Sequence, residues 1–220
     1  MTEETPKSYS PNSFWKTNLP TRNILIVLLT VHVALWITTI IITIVQGLAI
    51  NFDTFYEIPD YLIAIVGQSN DAVFNGHVYQ LITSIFVHFN WLHILSNCLF
   101  LLIFGLKAED HLLDWQYYAL FIISGFMGGL ISLSFGSGAL SAGASGGVFG
   151  LLGADIIIIY QTEKDKKLWV YLGIGVIFLG LTAGAKVNVM AHAIGLLTGF
   201  LFPVIFKKRK DVGEAYEISA

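Results

Sequence analysis

A single cysteine, Cys98, stands in a chain of 220 residues, which excludes an intramolecular disulfide and any metal site built from several thiolates. Cys98 lies in an apolar run and reads as a small buried hydrophobe. Charge is also scarce: 12% of residues are Asp, Glu, Lys or Arg, about half of the roughly 25% found in soluble domains. Between 47 and 88 there is no lysine or arginine at all, although Asp53, Glu57, Asp60 and Asp71 fall there. No phosphate-cradling loop, nucleic-acid module or long internal repeat is present, so a nucleic-acid partner is not expected.

What the chain does have is apolar length. Hydrophobic residues make up 55% of it and the mean hydropathy is +0.71, a membrane composition. Residues 1–23 are polar, hold Pro6, Pro11 and Pro20, and read as a poorly ordered tail. Apolar spans follow at 24–45, 90–106, 115–135, 145–160, 168–184 and 189–206, against the roughly 20 residues a helical crossing requires. The first is too long for a signal-peptide core and has no convincing small-x-small cleavage site. The expected fold is therefore all-α: a polytopic membrane protein of six transmembrane helices over 24–206. It has an outer segment at 47–88 and a basic, then acidic, tail at 207–220. The fourth span is short, so the preceding stretch 136–144 should dip into the bundle, where irregular backbone is tolerated beside protein or a wet cavity.

Lysine and arginine set the direction. Lys7, Lys16 and Arg22 precede the first span, and Lys107 follows the second. Lys164, Lys166 and Lys167 follow the fourth, and Lys207, Lys208, Arg209 and Lys210 follow the sixth. Eleven of the twelve basic residues thus share one side, leaving Lys186 opposite. Both termini are expected in the cytoplasm. The aromatics Phe52, Phe55, Tyr56, Tyr61, Phe74 and Tyr79 of the outer segment suit either the membrane interface or packing on the bundle.

Ionisable residues inside a membrane bundle are costly, and they point to function. With both ends inside, spans two, four and six run from the outer side inward. They open on "HFNWLHILSN" (88–97), "GASG" (143–146) and "NVMAHAIG" (188–195). His93 and Asn97, at i and i+4, share a helix face. At 1.5 Å per residue, His93, Asn97, Ser145 and His192 all fall within about 10 Å of the outer helix ends. Gly146 and Gly150, and Ala191, Gly195 and Gly199, form small-residue stripes that let membrane helices approach closely. Spans four and six should therefore meet backbone to backbone, with Gly143 leaving room above Ser145.

A serine hydroxyl becomes nucleophilic when a base within hydrogen-bond reach takes its proton, and histidine suits that work. A developing oxyanion needs preorganised donors, which His93, Asn97 and the N-terminus of span four can offer. Asp155 lies about 15 Å further along span four by helix rise, too far to orient the histidine. The arrangement is a Ser145–His192 dyad without a third member.

These residues resemble the rhomboid intramembrane serine proteases over about 180 residues. "HFNWLHILSN" is similar to the family's HxxxxHxxxN, "GASG" to GxSG, "AHAIGLLTG" to AHxxGxxxG and "GLKAE" (105–109) to GxxxE. The resemblance implies Ser145 as nucleophile and His192 as general base. It implies an oxyanion hole from His93, Asn97 and the Ser145 backbone N–H, with His88 tying the outer segment to a helix end. It further implies that the substrate is the transmembrane helix of another protein, cut near its outer boundary. Partners would be such helices and membrane lipids, no metal or cofactor is implied, and the site would open to the outer side of a prokaryotic plasma membrane. Oligomeric state stays open. Two positions depart from the family: Tyr79-Gln80 stands for a Trp-Arg pair, and Phe149 for a tyrosine that packs on the histidine.

Other readings stand beside this one. A catalytically inactive, helix-binding relative would be expected to have lost the serine or histidine. His32 and Asp155 could relay protons in a transporter, though no inverted repeat accompanies them; a structural hydrogen bond is expected for each. His88 and His93 lie about 140° apart on a helix, unlike the i, i+4 pair of a zinc site. His77 and His111 read as solvated loop residues, Glu109 as a capping or loop-fixing residue, and the 182–188 connection as a movable cap.

Overall fold

The computed structural model describes residues 19–162, 167–182 and 188–206. In chain order the elements are α1 (Leu19–Val45), α2 (Phe52–Tyr56), α3 (Asp60–Val66), β1 (Gln68–Ser69), α4 (Asn70–Phe74) and α5 (Gln80–Thr83), then α6 (Trp91–Glu109), α7 (Asp114–Ser132), β2 (Leu140–Ser141), α8 (Ser145–Thr162), α9 (Lys167–Thr182) and α10 (Val189–Ile205). Six of these helices, of 16 to 27 residues, match the six apolar runs. Three stretches, Leu19–Val45, Trp91–Glu109 and Asp114–Phe135, are long and apolar enough to cross a membrane by themselves, and three shorter apolar helices accompany them. The chain is an all-α integral membrane protein, with a two-residue antiparallel ribbon added.

Helix α8 runs through the centre. Every residue from Ala144 to Ile156 is buried, because α6, α7, α9 and α10 all pack against it. A short helix suffices there, since its polar ends meet protein rather than lipid. Helix α1 is peripheral. It buries one face, including Thr21, Ile24, Leu28, His32 and Thr39, and leaves Ile26, Ile37, Ile41 and Ile44 exposed as a surface suited to lipid. At its other end Glu109 Oε1 accepts the Thr21 N–H at 2.6 Å, a carboxylate placed at a helix N-terminus. That is the capping role read for Glu109.

The glycine stripes work differently from the simplest expectation. Helices α8 and α10 do meet backbone to backbone: a Cβ on Gly195 would strike the Gly146 carbonyl, and one on Gly199 the Gly150 carbonyl. The missing side chains of Gly146 and Gly150, however, face α7. A Cβ on Gly146 would stand 3.3 Å from Gly125 Cα, and one on Gly150 would strike Ser124. The α8 stripe therefore seats α7, the third long helix, while the α10 stripe seats α8, the fourth. A GxxxG spacing marks a face without naming its neighbour, which is why sequence pairs these two stripes with each other.

The segment 47–88 is built rather than loose. Asn51 and Ser69 cap α2 and α4, and β1 pairs with β2 through Gln68 opposite Ser141 and Ser69 opposite Leu140. The Trp36 and Trp91 indole N–H groups both donate to Phe55 O at 3.0 Å. Gln80, where the family's arginine would stand, is buried. Its Nε2 donates to Ala64 O at 2.9 Å and Ile65 O at 3.2 Å, and its Oε1 accepts the Ser69 N–H at 2.9 Å. One neutral amide thus ties three backbone groups together, and Tyr79 points outward.

His32 and Asp155 correct the hydrogen bonds expected of them. Both are fully buried, yet neither His32 ring nitrogen nor either Asp155 oxygen has a hydrogen-bond partner among the described residues. His32 is held by ring packing, edge-on to Trp91 at 4.7 Å. An unpartnered buried carboxyl is unfavourable whether charged or protonated. Asp155→Ala, which removes the stranded polar group, should therefore raise stability by about 1 kcal/mol, as read by thermal unfolding in detergent. A clearly lower unfolding temperature would instead show that the carboxyl is needed for the fold. His77 is exposed and stacks on Tyr79. His111 is half-buried at the turn after α6 and so departs from the solvated loop expected.

Candidate active site

Three helix starts converge. The side chain of Asn90 accepts the His93 N–H at 2.8 Å and so caps α6, which brings His93 to the first turn. Asn188 caps α10 by accepting the Ala191 N–H at 3.0 Å, and its Nδ2 donates to Ser132 Oγ on α7. This pins the start of α10, and therefore His192, to a neighbouring helix. In α8 the first intrahelical bond runs from Val148 N–H to Ala144 O, so the N–H groups of Ser145, Gly146 and Gly147 are helix-terminal donors.

Ser145 Oγ and His192 Nε2 lie 2.8 Å apart, and both residues are buried. His192 Nδ1 has no partner among the described residues. The ring stacks on Phe149 with centroids 4.7 Å apart and planes 26° apart, and Phe149 stacks in turn on Phe178 of α9. Packing therefore orients the imidazole where a triad would use a carboxylate.

His93 leans over the serine from α6. Gly143 has φ +131°, and a Cβ there would lie 2.8 Å from His93 Cε1 and Nε2 and 3.9 Å from Ser145 Oγ. Only glycine suits that backbone and that space. Gly143→Ala should accordingly slow attachment of a serine-directed fluorophosphonate to Ser145 at least tenfold by pushing His93 off the serine, while the protein still folds. Unchanged labelling would sink this account of Gly143.

His88 accepts the Ala144 N–H on Nε2 at 3.2 Å, directly ahead of Ser145, and packs against His93 at 4.9 Å. Burial, with His93 and His32 beside it, holds His88 well below the usual imidazole range. The ring is neutral, and its Nε2 lone pair is available for that bond. Asn97 is buried but not part of the cavity wall; its Nδ2 donates to His93 O at 2.8 Å.

A small cavity reaches from His93, Ser145 and His192 past Gly128 of α7 to Gln68 and Ser132. Gln68, Asn188 and Ser132 escaped the sequence reading. Asn188 had a readable signal, an Asn just before an apolar run; Gln68 had none. Residues 183–187 of the connection read as a cap lie outside the described residues, as do most of the lysines that set the orientation.

Comparison with known proteins decides the family. A family model described as the Rhomboid domain matches residues 75–209, more than half of the chain and all four site segments. The chain belongs to the rhomboid family. This rhomboid is 33% identical over 147 residues to RHOMBOID-like protein 1 of Arabidopsis thaliana, covering 64% of the chain and 38% of that protein. Rhomboid-like protease 3 of Toxoplasma gondii is 24% identical over 161 residues, covering 70% of the chain and 61% of that protein. The rhomboid YdcA of Bacillus subtilis is 25% identical over 182 residues, covering 78% of the chain and 90% of that protein. The chain spans well under half to about half the length of the plant relatives it matches.

Proposed function

We propose that this rhomboid is an intramembrane serine endopeptidase that hydrolyses a peptide bond in or near the transmembrane helix of membrane-protein substrates. The observation that carries this reading is the 2.8 Å contact between Ser145 Oγ and His192 Nε2 at a helix N-terminus bordering a cavity.

In this reading His192 Nε2 takes the Ser145 proton as Oγ bonds to the substrate carbonyl carbon. The carbonyl oxygen gains the negative charge and is met by the Ser145 N–H and His93. Asn97, expected beside them in the oxyanion hole, holds the His93 carbonyl at 2.8 Å and would reach the oxygen only by turning its amide toward the cavity on substrate binding. The protonated His192 gives its proton to the leaving nitrogen, the C–N bond breaks, and an acyl-Ser145 ester remains. Water then repeats the sequence: its proton goes to His192, its oxygen to the acyl carbon, and Ser145 recovers its hydroxyl. A phenylalanine at 149 supplies the stacking surface for His192 without a phenolic hydrogen bond.

The reading carries a topology: six crossings, both termini in the cytoplasm, and a site that opens to the outer face of a prokaryotic plasma membrane. Purified protein reconstituted in detergent or vesicles should cut a transmembrane substrate. A fluorophosphonate should attach to Ser145, located by peptide mass mapping. Label on another residue, or no label with solute transport instead, would overturn the assignment.

A further inference from the structure

We infer that Asn188 and Ser132 are positioning residues for the dyad: their hydrogen bond latches the first turn of α10 to α7 and so sets His192 against Ser145. The inference rests on the proteolytic reading of Ser145 and His192. Both side chains act through the backbone that carries His192.

The bond has one possible direction. Ser132 Oγ donates its proton to Gly128 O at 2.8 Å, so toward Asn188 it can only accept. Asn188 Oδ1 accepts the Ala191 N–H at 3.0 Å, which turns Nδ2 toward Ser132 Oγ as the donor. A flipped amide would set an acceptor against the Ser132 lone pair and a donor against the Ala191 N–H. One side chain therefore caps α10 and ties it to α7. Packing reinforces the tie one turn along α7, where a Cβ on Gly128 would lie 3.2 Å from the Ala191 Cβ.

His192 needs this support. It follows Ala191 directly, and its own N–H reaches Asn188 O at 3.3 Å, longer than the ordinary range for such a bond. Its Nδ1 has no partner among the described residues, so no carboxylate corrects the ring once the backbone shifts. Deeper in α10, Gly195 lies against the Gly146 carbonyl of α8. The histidine thus sits between two holds, one on α7 at Asn188 and one on α8 at Gly195. With the outer hold lost, the first turn of α10 pivots on the inner one, and the 2.8 Å contact between Nε2 and Ser145 Oγ is the distance that changes. An error of about 1 Å in such a contact costs up to about a hundredfold in rate. Asn188 is half-buried at the cavity wall, so its loss leaves the helix core in place.

The test uses full-length protein in detergent and three variants. Asn188→Ser keeps a good capping residue but is too short to reach α7. Ser132→Ala removes the acceptor and keeps the cap. Each should lower kcat for a transmembrane substrate about tenfold with KM unchanged, and slow fluorophosphonate labelling of Ser145 by the same factor, at temperatures well below unfolding. The double variant should be no slower than the slower single one, because both substitutions remove one bond. Wild-type rates in either folded single variant overturn the inference. Losses that multiply in the double variant overturn it too, as does a loss confined to KM. If one single variant does not fold, the other decides; failure of both to fold makes the bond a requirement of the fold and overturns the positioning role. Absence of both labelling and cleavage in wild type is the different result that removes the proteolytic reading itself.

Discussion

Ser145→Ala and His192→Ala should each lower cleavage of a transmembrane substrate by roughly four to six orders of magnitude, and the double variant should lose little more than either alone. Residues that act as one unit in proton transfer show this non-additivity. Without the hydroxyl no acyl ester can form. Without the imidazole the hydroxyl stays protonated, and the leaving nitrogen receives no proton. The 2.8 Å Oγ–Nε2 contact makes the two side chains one functional group. Fluorophosphonate labelling should vanish in Ser145→Ala and slow sharply in His192→Ala. Ser145→Ala should melt with wild type, while His192→Ala, which loses the ring stacked on Phe149, should melt slightly lower. Additive losses, or full labelling in His192→Ala, would show that the histidine is not the base.

The second large effect is structural. Gly199→Ala and Gly195→Ala should each destabilise the protein by about 3 kcal/mol or more, the upper range for overpacking. The colliding atoms are the Gly150 and Gly146 carbonyls, which are backbone and cannot swing aside as a side chain would. Separating α8 from α10 also separates Ser145 from His192, so labelling should fall even in the fraction that remains folded. Gly180→Ala provides the contrast. A Cβ there meets nothing within 4 Å, and alanine is the better helix former by up to about 1 kcal/mol, so its unfolding temperature should match or exceed that of wild type. Gly199→Ala melting together with Gly180→Ala would refute the close contact. Gly146→Val and Gly150→Val should also disable the protein, but by displacing α7: their Cβ positions face Gly125 and Ser124.

The neutral Gln80 illustrates how far a family pattern carries. A Trp-Arg pair is replaced by Tyr79-Gln80, and from sequence that substitution leaves open how the outer segment is anchored. In the fold, one amide offers both donor and acceptor to Ala64, Ile65 and Ser69. Such a role depends on backbone carbonyls that come near only after α3 and β1 have formed. Gln68 is similar, since its partners Gly129 and Asn70 come from different parts of the chain. A glutamine in a loop has no periodicity to betray it.

The amino-acid sequence by itself determined where the helices lie, because apolar length and the Asn90 and Asn188 caps act locally. It also determined that Ser145, His192 and His93 share a depth, because helix rise converts residue number into distance. Tertiary structure decided which glycine faces which helix, that Phe149 and Phe178 hold the histidine ring, and that His32 and Asp155 are buried without partners. The physical reason is range. Helix propensity, capping and hydropathy are properties of neighbours in the chain, whereas contact between Gly199 and the Gly150 carbonyl is a property of two helix axes, whose rotation and separation are set by everything packed around them.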